Sequence, residues 1–231
     1  ISILANRFPQ DKQKKLIRIG LFLAMFMRII MLMGINWLTQ MKAPLIEVDL
    51  SWFSAQFSLQ SLILLAGGLF LLYKSTLEIF HKVEDIEAHA PSKEEKPLSF
   101  SRALLQIVMI DIVFSFDSIL TAVGMTNGIP YALWIMIIAV VVSIVIMMGF
   151  ATPVSTYINK HPSLQILGLS FLLLIGFMLI AEAAHLSEAN LFGGTTGRIP
   201  KGYLYFSIAF SLGVEMLNMR IRKGRRTKSQ E

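Results

Sequence analysis

Cysteine is absent from this chain of 231 residues, and charged residues are scarce. Without a thiol, the chain can form no disulfide, no thiolate metal ligand and no cysteine nucleophile of its own. Charged side chains make up 16% of the sequence, whereas soluble domains carry about a quarter. The softer metal ligands that remain, four His and thirteen Met, form no ligand-spaced cluster. A soluble domain and a soft-metal site are therefore both disfavoured.

Sequence motifs of common enzyme classes are also missing. The chain has no Walker A sequence for nucleotide binding, no GxSxG sequence of serine hydrolases and no HExxH sequence of zinc proteases. It begins at Ile1 without the charged and apolar regions of a signal peptide, and we expect further sequence upstream. We predict that the protein is not an enzyme and holds no cofactor.

Apolar residues make up 55% of the chain and fall in long blocks, which gives a mean hydropathy of +0.63. A helix needs about 20 residues to cross a bilayer, and six segments are long enough. They are 17–39, 59–79, 100–124, 131–151, 164–184 and 202–219. The fold class is therefore predicted to be all-α, a polytopic transmembrane helical bundle in contact with the lipid bilayer.

Lysine and arginine are distributed unevenly between the two sets of loops. Only three, Lys42, Arg198 and Lys201, lie in one set, whereas most of the 21 lie in the other set and in the tail at 220–231. Because cytoplasmic loops carry the excess of positive charge, the second set and the C-terminus are predicted to be cytoplasmic. We expect a multi-pass protein of the plasma (inner) membrane, with a basic tail that anchors topology and binds no nucleic acid.

Three short sequence matches recur in order along the chain and indicate an internal repeat. They pair 5–9 with 126–130, 28–34 with 143–149, and 58–60 with 163–165. The first and second segments then correspond to the fourth and fifth, which leaves the third without a partner in this chain. We predict three-helix inverted repeats, a common architecture of secondary transporters, with the partner of the third helix upstream of Ile1.

The predicted organisation follows from these assignments. A first repeat at 1–79 is followed by a charged cytoplasmic linker at 80–97 and a second repeat at 98–185. An outer loop and the final transmembrane helix occupy 186–219, followed by a basic cytoplasmic tail at 220–231. Two prolines and many charges in the linker are typical of a solvent-exposed segment, with a short helix at its start.

Two aspartates, Asp111 and Asp117, interrupt the apolar third segment. A carboxylate at the centre of a transmembrane helix costs about 2.5–3.5 kcal/mol, so such acids are interpreted as functional. On a regular helix the two lie about 9 Å apart along the axis and roughly 120° apart around it. Either the helix unwinds locally or the two acids have different roles. The structural alternative is that each pairs with a buried cation such as Arg28.

Other polar residues in the predicted helices have two interpretations each. Glu215 and Asn218 share a face of the last segment near its cytoplasmic end, where they can line an ion path or hold helices together. Glu182 lies beside His185 near the outer end of the fifth segment, and it can also face the headgroups. Arg28 is central in the first segment and is expected to be the counter-charge of one carboxylate.

Several segments resemble one family in the same order along the chain. DIVFSFDSILTAVGM at 111–125 resembles the second acidic motif of the TerC family of integral membrane proteins. LLQIVMI before it, PKGYLYFSIAFSLGVEMLN at 200–218 and the opening segment at 1–32 are similar to that family as well. The similarity spans nearly the whole chain and is closest to the short members without appended soluble domains.

The resemblance implies a seven-helix inverted-repeat fold and the export of divalent metal ions, Mn²⁺ most prominently. Family members carry an Asp-Asn pair in the first helix and an Asp-containing pair in the fourth. Only the second pair is present, as Asp117-Ser118, and the first would lie just before Ile1. The chain as it stands is therefore expected to lack half of the family's site.

The predicted function is transport of a divalent cation, specifically Mn²⁺ efflux driven by proton exchange or the membrane potential. Oxygen ligands suit such a hard ion. The residues predicted to contact it all carry oxygen ligands: Asp111, Asp117, Ser115, Ser118, Glu215 and Asn218. Asp117 is the predicted primary ligand, and Asp111 a second ligand or a proton acceptor. The alternatives are a membrane scaffold for exported proteins and a proton channel, with homo-oligomers or other membrane proteins as partners.

Overall fold

The computed structural model describes residues 10–34, 43–50, 52–87, 100–126 and 128–228. Within these residues the chain forms six α-helices and four short strands. The helices are α1 Gln10–Met33, α2 Leu59–Glu87, α3 Phe100–Thr126, α4 Ala132–Asn159, α5 Pro162–Leu186 and α6 Lys201–Lys228. The strands are β1 Pro44–Leu50, β2 Phe53–Ser58, β3 Asn190–Leu191 and β4 Gly194–Thr195. The prediction of an all-α bundle of long apolar helices is confirmed.

Helix boundaries differ from the sequence prediction mainly where charged residues flank an apolar run. Helix α2 continues through Glu87, because no proline follows the apolar run before Pro91. Helix α6 continues into the basic tail as far as Lys228. Helix α1 ends at Met33, and the remaining predicted residues 35–39 lie outside the described part of the chain.

Five of these helices, α1 to α5, are long and apolar enough to cross a membrane. Helix α6 spans 28 residues, but it begins with Lys201 and includes Glu215, Asn218 and Arg220, which lower its hydropathy. Six crossings, and with them the cytoplasmic position of both ends, therefore stay a prediction.

A small antiparallel sheet at one end of the bundle was not predicted from the sequence. Strands β1 to β4 pair in chain order, and β2 pairs with β3 through Phe53–Leu191 and Ser54–Asn190. This pairing connects the start of α2 to the end of α5. We call this end of the bundle the sheet end, and the opposite end, where α4 turns into α5, the turn end.

Two clusters of buried apolar side chains hold the helices together. Near the turn end, Leu16 and Leu21 of α1 pack against Ala103 and Ile107 of α3. Nearer the sheet end, a larger cluster joins α1, α2, α3, α4 and α5 through residues such as Leu64, Phe116 and Leu179. Helices α1 and α3 therefore run side by side in the same direction, which places Arg28 beside Asp111.

Helices α2 and α5 cross at their glycines, where the two backbones touch. A Cβ atom at Gly68 would lie 2.8 Å from the carbonyl oxygen of Gly176, and one at Gly67 would lie 2.6 Å from Cγ1 of Val113. Small residues allow such close approach between membrane helices. The two helices run antiparallel, because Gly68 meets Ile180 while Leu72 meets Gly176.

We predict that Gly68→Ala destabilises the protein by about 1–3 kcal/mol, the usual cost of overpacking a tight core. The added methyl group meets a backbone oxygen, which cannot move aside as a side chain can. Gly149→Ala on α4 is the matched control, since a Cβ there has no neighbour within 4 Å. Thermal unfolding of both variants in detergent measures the difference, and equal unfolding temperatures would contradict the prediction.

The repeat-related segments 59–79 and 164–184 correspond to α2 and α5, which form this antiparallel pair. An inverted two-fold relation between the two halves stays a prediction. The first sequence match, at 5–9, lies outside the described residues.

Candidate cation site

Helix α3 carries both predicted aspartates and is continuous from Phe100 to Thr126. The local unwinding considered from the sequence is therefore not observed. Because a regular helix turns by about 100° per residue, Asp111 faces α1 while Asp117 faces α6. The two carboxylates belong to different sites, which is the second of the two possibilities that their spacing allowed.

Asp111 is held in a fork of hydrogen bonds with Arg28 of α1. Arg28 Nη2 donates to Asp111 Oδ1 at 2.6 Å and Arg28 Nε donates to Oδ2 at 3.3 Å. The Ser115 hydroxyl donates to Oδ2 at 3.2 Å. The expectation that Arg28 neutralises one carboxylate is confirmed. A planar guanidinium bound through two nitrogens holds a carboxylate firmly, so Asp111 links α1 to α3.

Asp117 is paired with Lys201, the first residue of α6. Lys201 Nζ donates to Asp117 Oδ1 at 2.8 Å, to Oδ2 at 2.7 Å and to Thr121 Oγ1 at 2.7 Å. About a quarter of each charged side chain stays accessible, 22% for Lys201 and 23% for Asp117. This partner is a single ammonium at the end of a flexible aliphatic chain, in contrast to the planar guanidinium at Asp111.

A cavity of about 490 Å³ opens beside Asp117 at the sheet end of the bundle. Its polar lining residues are Gln60, Asp117, Thr121, Glu182, His185 and Arg198. A second cavity of about 190 Å³ also touches Asp117 and Glu182, with Lys201 and Ser118 in its wall. The same two carboxylates therefore line both cavities, and a water-sized solute can reach Asp117.

Charges around these cavities are balanced in pairs. Besides Asp117 with Lys201, Glu182 faces Arg198, whose Nε lies 3.7 Å from Glu182 Oε1. The Arg198 side chain is 56% exposed, so this second pair is loosely held. His185 Nδ1 lies 3.2 Å from the carbonyl oxygen of Thr196, which fixes the ring at the cavity wall.

Of the remaining predicted site residues, Ser118 borders the smaller cavity together with Asp117, whereas Glu215 and Asn218 lie farther along α6. The Ser118 hydroxyl donates to the carbonyl oxygen of Phe114 at 2.6 Å, although Ser118 borders the smaller cavity. Glu215 and Asn218 lie more than a dozen residues along α6 from Lys201, about 20 Å or more along its axis. Glu215 Oε1 is buried without a hydrogen-bond partner among the described residues, and Asn218 is exposed. Their role in a cytoplasmic path stays a prediction.

The oxygen atoms at Asp117 match the ligands that hard divalent cations prefer. A carboxylate, the Thr121 hydroxyl and the nearby Gln60 amide surround a cavity with room for water. Among the described residues, no three acidic or histidine side chains converge as they do in a resident metal site.

Lys201 and Thr121 were not among the residues predicted to form the site. Lys201 was counted as a loop charge, because it lies immediately before the last predicted segment, 202–219. The sequence did contain one signal for Lys201: it is one of only three basic residues in that set of loops. Thr121 lies four residues after Asp117 and so on the same helix face, a spacing that could have identified it.

Comparison with known proteins identifies close relatives over the whole chain. The model of the family described as "Integral membrane protein TerC family" matches residues 1–230. A "UPF0053 protein" of Haemophilus influenzae is 40% identical over 223 residues, which cover 96% of this chain and 86% of the relative. The "UPF0053 inner membrane protein YgdQ" of Escherichia coli is 38% identical over 219 residues, covering 95% and 83%.

A longer relative matches equally well over a smaller part of its length. The "UPF0053 protein YegH" of Escherichia coli is 41% identical over 218 residues, which are 94% of this chain and 38% of YegH. No solved structure matches the chain.

Proposed function

This chain belongs to the TerC family of integral membrane proteins, and from that premise we propose that it transports divalent metal cations, with Mn²⁺ efflux as its activity. One relative is described as an inner membrane protein, and we propose the same membrane for this chain. The proposal concerns the ion and the direction of movement, whereas the family and the multi-pass membrane architecture follow directly from the match and from the five apolar helices.

The observation that carries the proposal is a carboxylate next to a polar cavity within membrane-spanning helices. Asp117 lies nine residues before the end of α3, about 13 Å from the sheet end of that helix. An acid at such depth is expensive in lipid, and in membrane proteins it marks an ion or proton path. The cavity of about 490 Å³ connects this acid with Glu182 and His185.

Asp117, and not Asp111, is the proposed centre of the transport site. Both acids have a basic partner, as the structural alternative required, but their surroundings differ. Asp111 is held by a guanidinium fork and a hydroxyl, which leaves few lone pairs for a substrate. Asp117 has one flexible ammonium partner and borders both cavities. We therefore propose that Asp111 and Ser115 support α3 while Asp117 and Thr121 contact the ion.

The driving force for Mn²⁺ efflux is inferred from the sequence and from the energetics of the membrane. The sequence has no nucleotide-binding motif, so we propose that exchange with protons, which the proton gradient and the membrane potential both draw inward, drives transport. A potential of 100 mV is worth about 2.3 kcal/mol for each elementary charge that crosses. For a divalent cation that leaves a cell with a negative interior, this potential is an opposing term of about 4.6 kcal/mol, so protons that move inward in exchange have to supply the driving force.

Reconstitution of the full-length protein into liposomes tests the proposal. We expect saturable Mn²⁺ flux, measured with an entrapped metal-sensitive dye, that protein-free liposomes lack. Folded protein without any Mn²⁺ flux would favour the scaffold for exported proteins. Proton flux that does not depend on added metal would favour the proton channel.

A further inference from the structure

Lys201 occupies the place at Asp117 that a substrate cation would take. Its Nζ atom contacts both oxygens of the carboxylate and the Thr121 hydroxyl, each within 2.8 Å. A lysine ammonium has three donor hydrogens and no acceptor, so these three oxygens use all of its hydrogen bonds. The Thr121 hydroxyl donates to the backbone carbonyl of Asp117 at 3.0 Å, and its lone pairs therefore face the ammonium.

On this geometry, and resting on the transport function proposed above, we propose that Lys201 is a tethered competitor of the substrate cation. The ammonium neutralises Asp117 while the site is empty, and the arriving divalent cation displaces it. The two cations cannot share the carboxylate, because they would lie within a few ångströms of each other and repel strongly. An empty site without Lys201 would leave a bare carboxylate between membrane helices, which is costly.

Two features show how the ammonium can leave Asp117. Lys201 is the first residue of α6, where the positive end of the helix dipole disfavours a cation and weakens its hold. Glu182 lines the smaller cavity together with Lys201 and Asp117, so a second carboxylate borders the space around the ammonium. The present partner of Glu182 is Arg198, whose exposed guanidinium can move into water. Displacement can therefore proceed with each carboxylate staying neutralised.

The affinity of purified full-length protein for Mn²⁺, measured by calorimetry, tests this role. Lys201→Met keeps the length of the side chain and removes the charge, and we expect it to tighten binding by about tenfold or more. Lys201→Arg keeps a cation at the site and should bind Mn²⁺ no more tightly than the wild type. Lys160→Met is the matched control, because Lys160 is exposed in the turn between α4 and α5, and it should not change the affinity.

The outcomes separate this inference from the proposed function. If the wild type binds and transports Mn²⁺ while Lys201→Met binds it equally or more weakly, Lys201 has a structural role and the inference fails alone. If neither protein binds Mn²⁺ although both are folded, the proposed function fails and the inference with it. A purely structural lysine would lower the unfolding temperature on substitution without tightening metal binding.

A double-mutant cycle tests whether Glu182 receives the displaced ammonium. Glu182→Gln removes one negative charge in any background, but it removes the receiving carboxylate only when Lys201 is present. We therefore expect Glu182→Gln to weaken Mn²⁺ binding more in the wild type than in Lys201→Met. Equal weakening in both backgrounds would exclude the transfer to Glu182 and leave Glu182 as a simple electrostatic contributor.

Discussion

Cells that express Asp117→Asn will retain Mn²⁺ as cells without the protein do, because the variant loses the charged ligand of the transport site. Asparagine has nearly the same shape as aspartate but offers one neutral oxygen in place of a carboxylate. Loss of even an outer contact costs 10–100-fold in metal affinity, and loss of a direct ligand should reduce flux by at least about that factor. Cellular Mn²⁺ content after a metal load, measured by mass spectrometry, gives the result.

Misfolding has to be separated from loss of transport in this variant. Asp117→Asn leaves the Lys201 ammonium without its counter-charge, so it should also lower the unfolding temperature. The double variant with Lys201→Met removes the unpaired charge and should recover stability but not transport. Asp49→Asn on the exposed strand β1 is the matched control and should export normally. Normal export by Asp117→Asn would remove the basis of the proposed function.

The sequence was sufficient for the helices because their signal is local. Long apolar runs specify membrane helices without reference to the rest of the chain, and each predicted run lies largely within an observed helix. Strands β1 and β2 form a local hairpin whose alternating residues were present in the sequence but were not recognised, whereas the pairing of β2 with β3 was missed because its signal is not local. Phe53 pairs with Leu191, which is far away in the sequence, and β3 and β4 have only two residues each. No alternation can be read from a strand of two residues.

The contrast between local and long-range signals also explains which features of the candidate site could be predicted from the sequence. The divergence of Asp111 and Asp117 follows from helix geometry, and the pairing of Arg28 follows from the cost of an isolated charge in lipid. The partner of Asp117 depends instead on where the loop before α6 places Lys201, which lies 84 residues away along the chain. That loop passes through β3 and β4 before α6 begins at Lys201, and nothing in its composition fixes the depth of that residue.

Charge pairing also changes how Asp111 and Asp117 are interpreted. A basic partner lowers the cost of an intramembrane acid and can make it a structural link, so the presence of the acid alone does not identify a transport site. A structural acid and a transport acid differ in the basic side chain that pairs with them and in whether a cavity lies beside them. We therefore assign a structural link to the guanidinium fork at Asp111 and, as proposed above, an exchangeable partner to the ammonium that lies beside two cavities at Asp117.

If the Arg28–Asp111 pair is a structural link, breaking it should cause a large loss of stability. Arg28→Leu leaves Asp111 without its cation between α1 and α3, and breaking such a buried pair costs about 3–5 kcal/mol. We expect the lower end of that range, because 24% of the Arg28 side chain is accessible. Unfolding of the purified variant in detergent, followed by circular dichroism against temperature, measures the loss.

Removal of both charges should restore most of that stability. The double variant Arg28→Leu with Asp111→Leu replaces the pair by apolar side chains, a change that is often neutral or stabilising. The same double variant should still transport Mn²⁺, because Asp117, Thr121 and Lys201 are untouched. Recovery of stability together with loss of transport would instead show that Asp111 contacts the ion, as its position on an apolar helix first indicated.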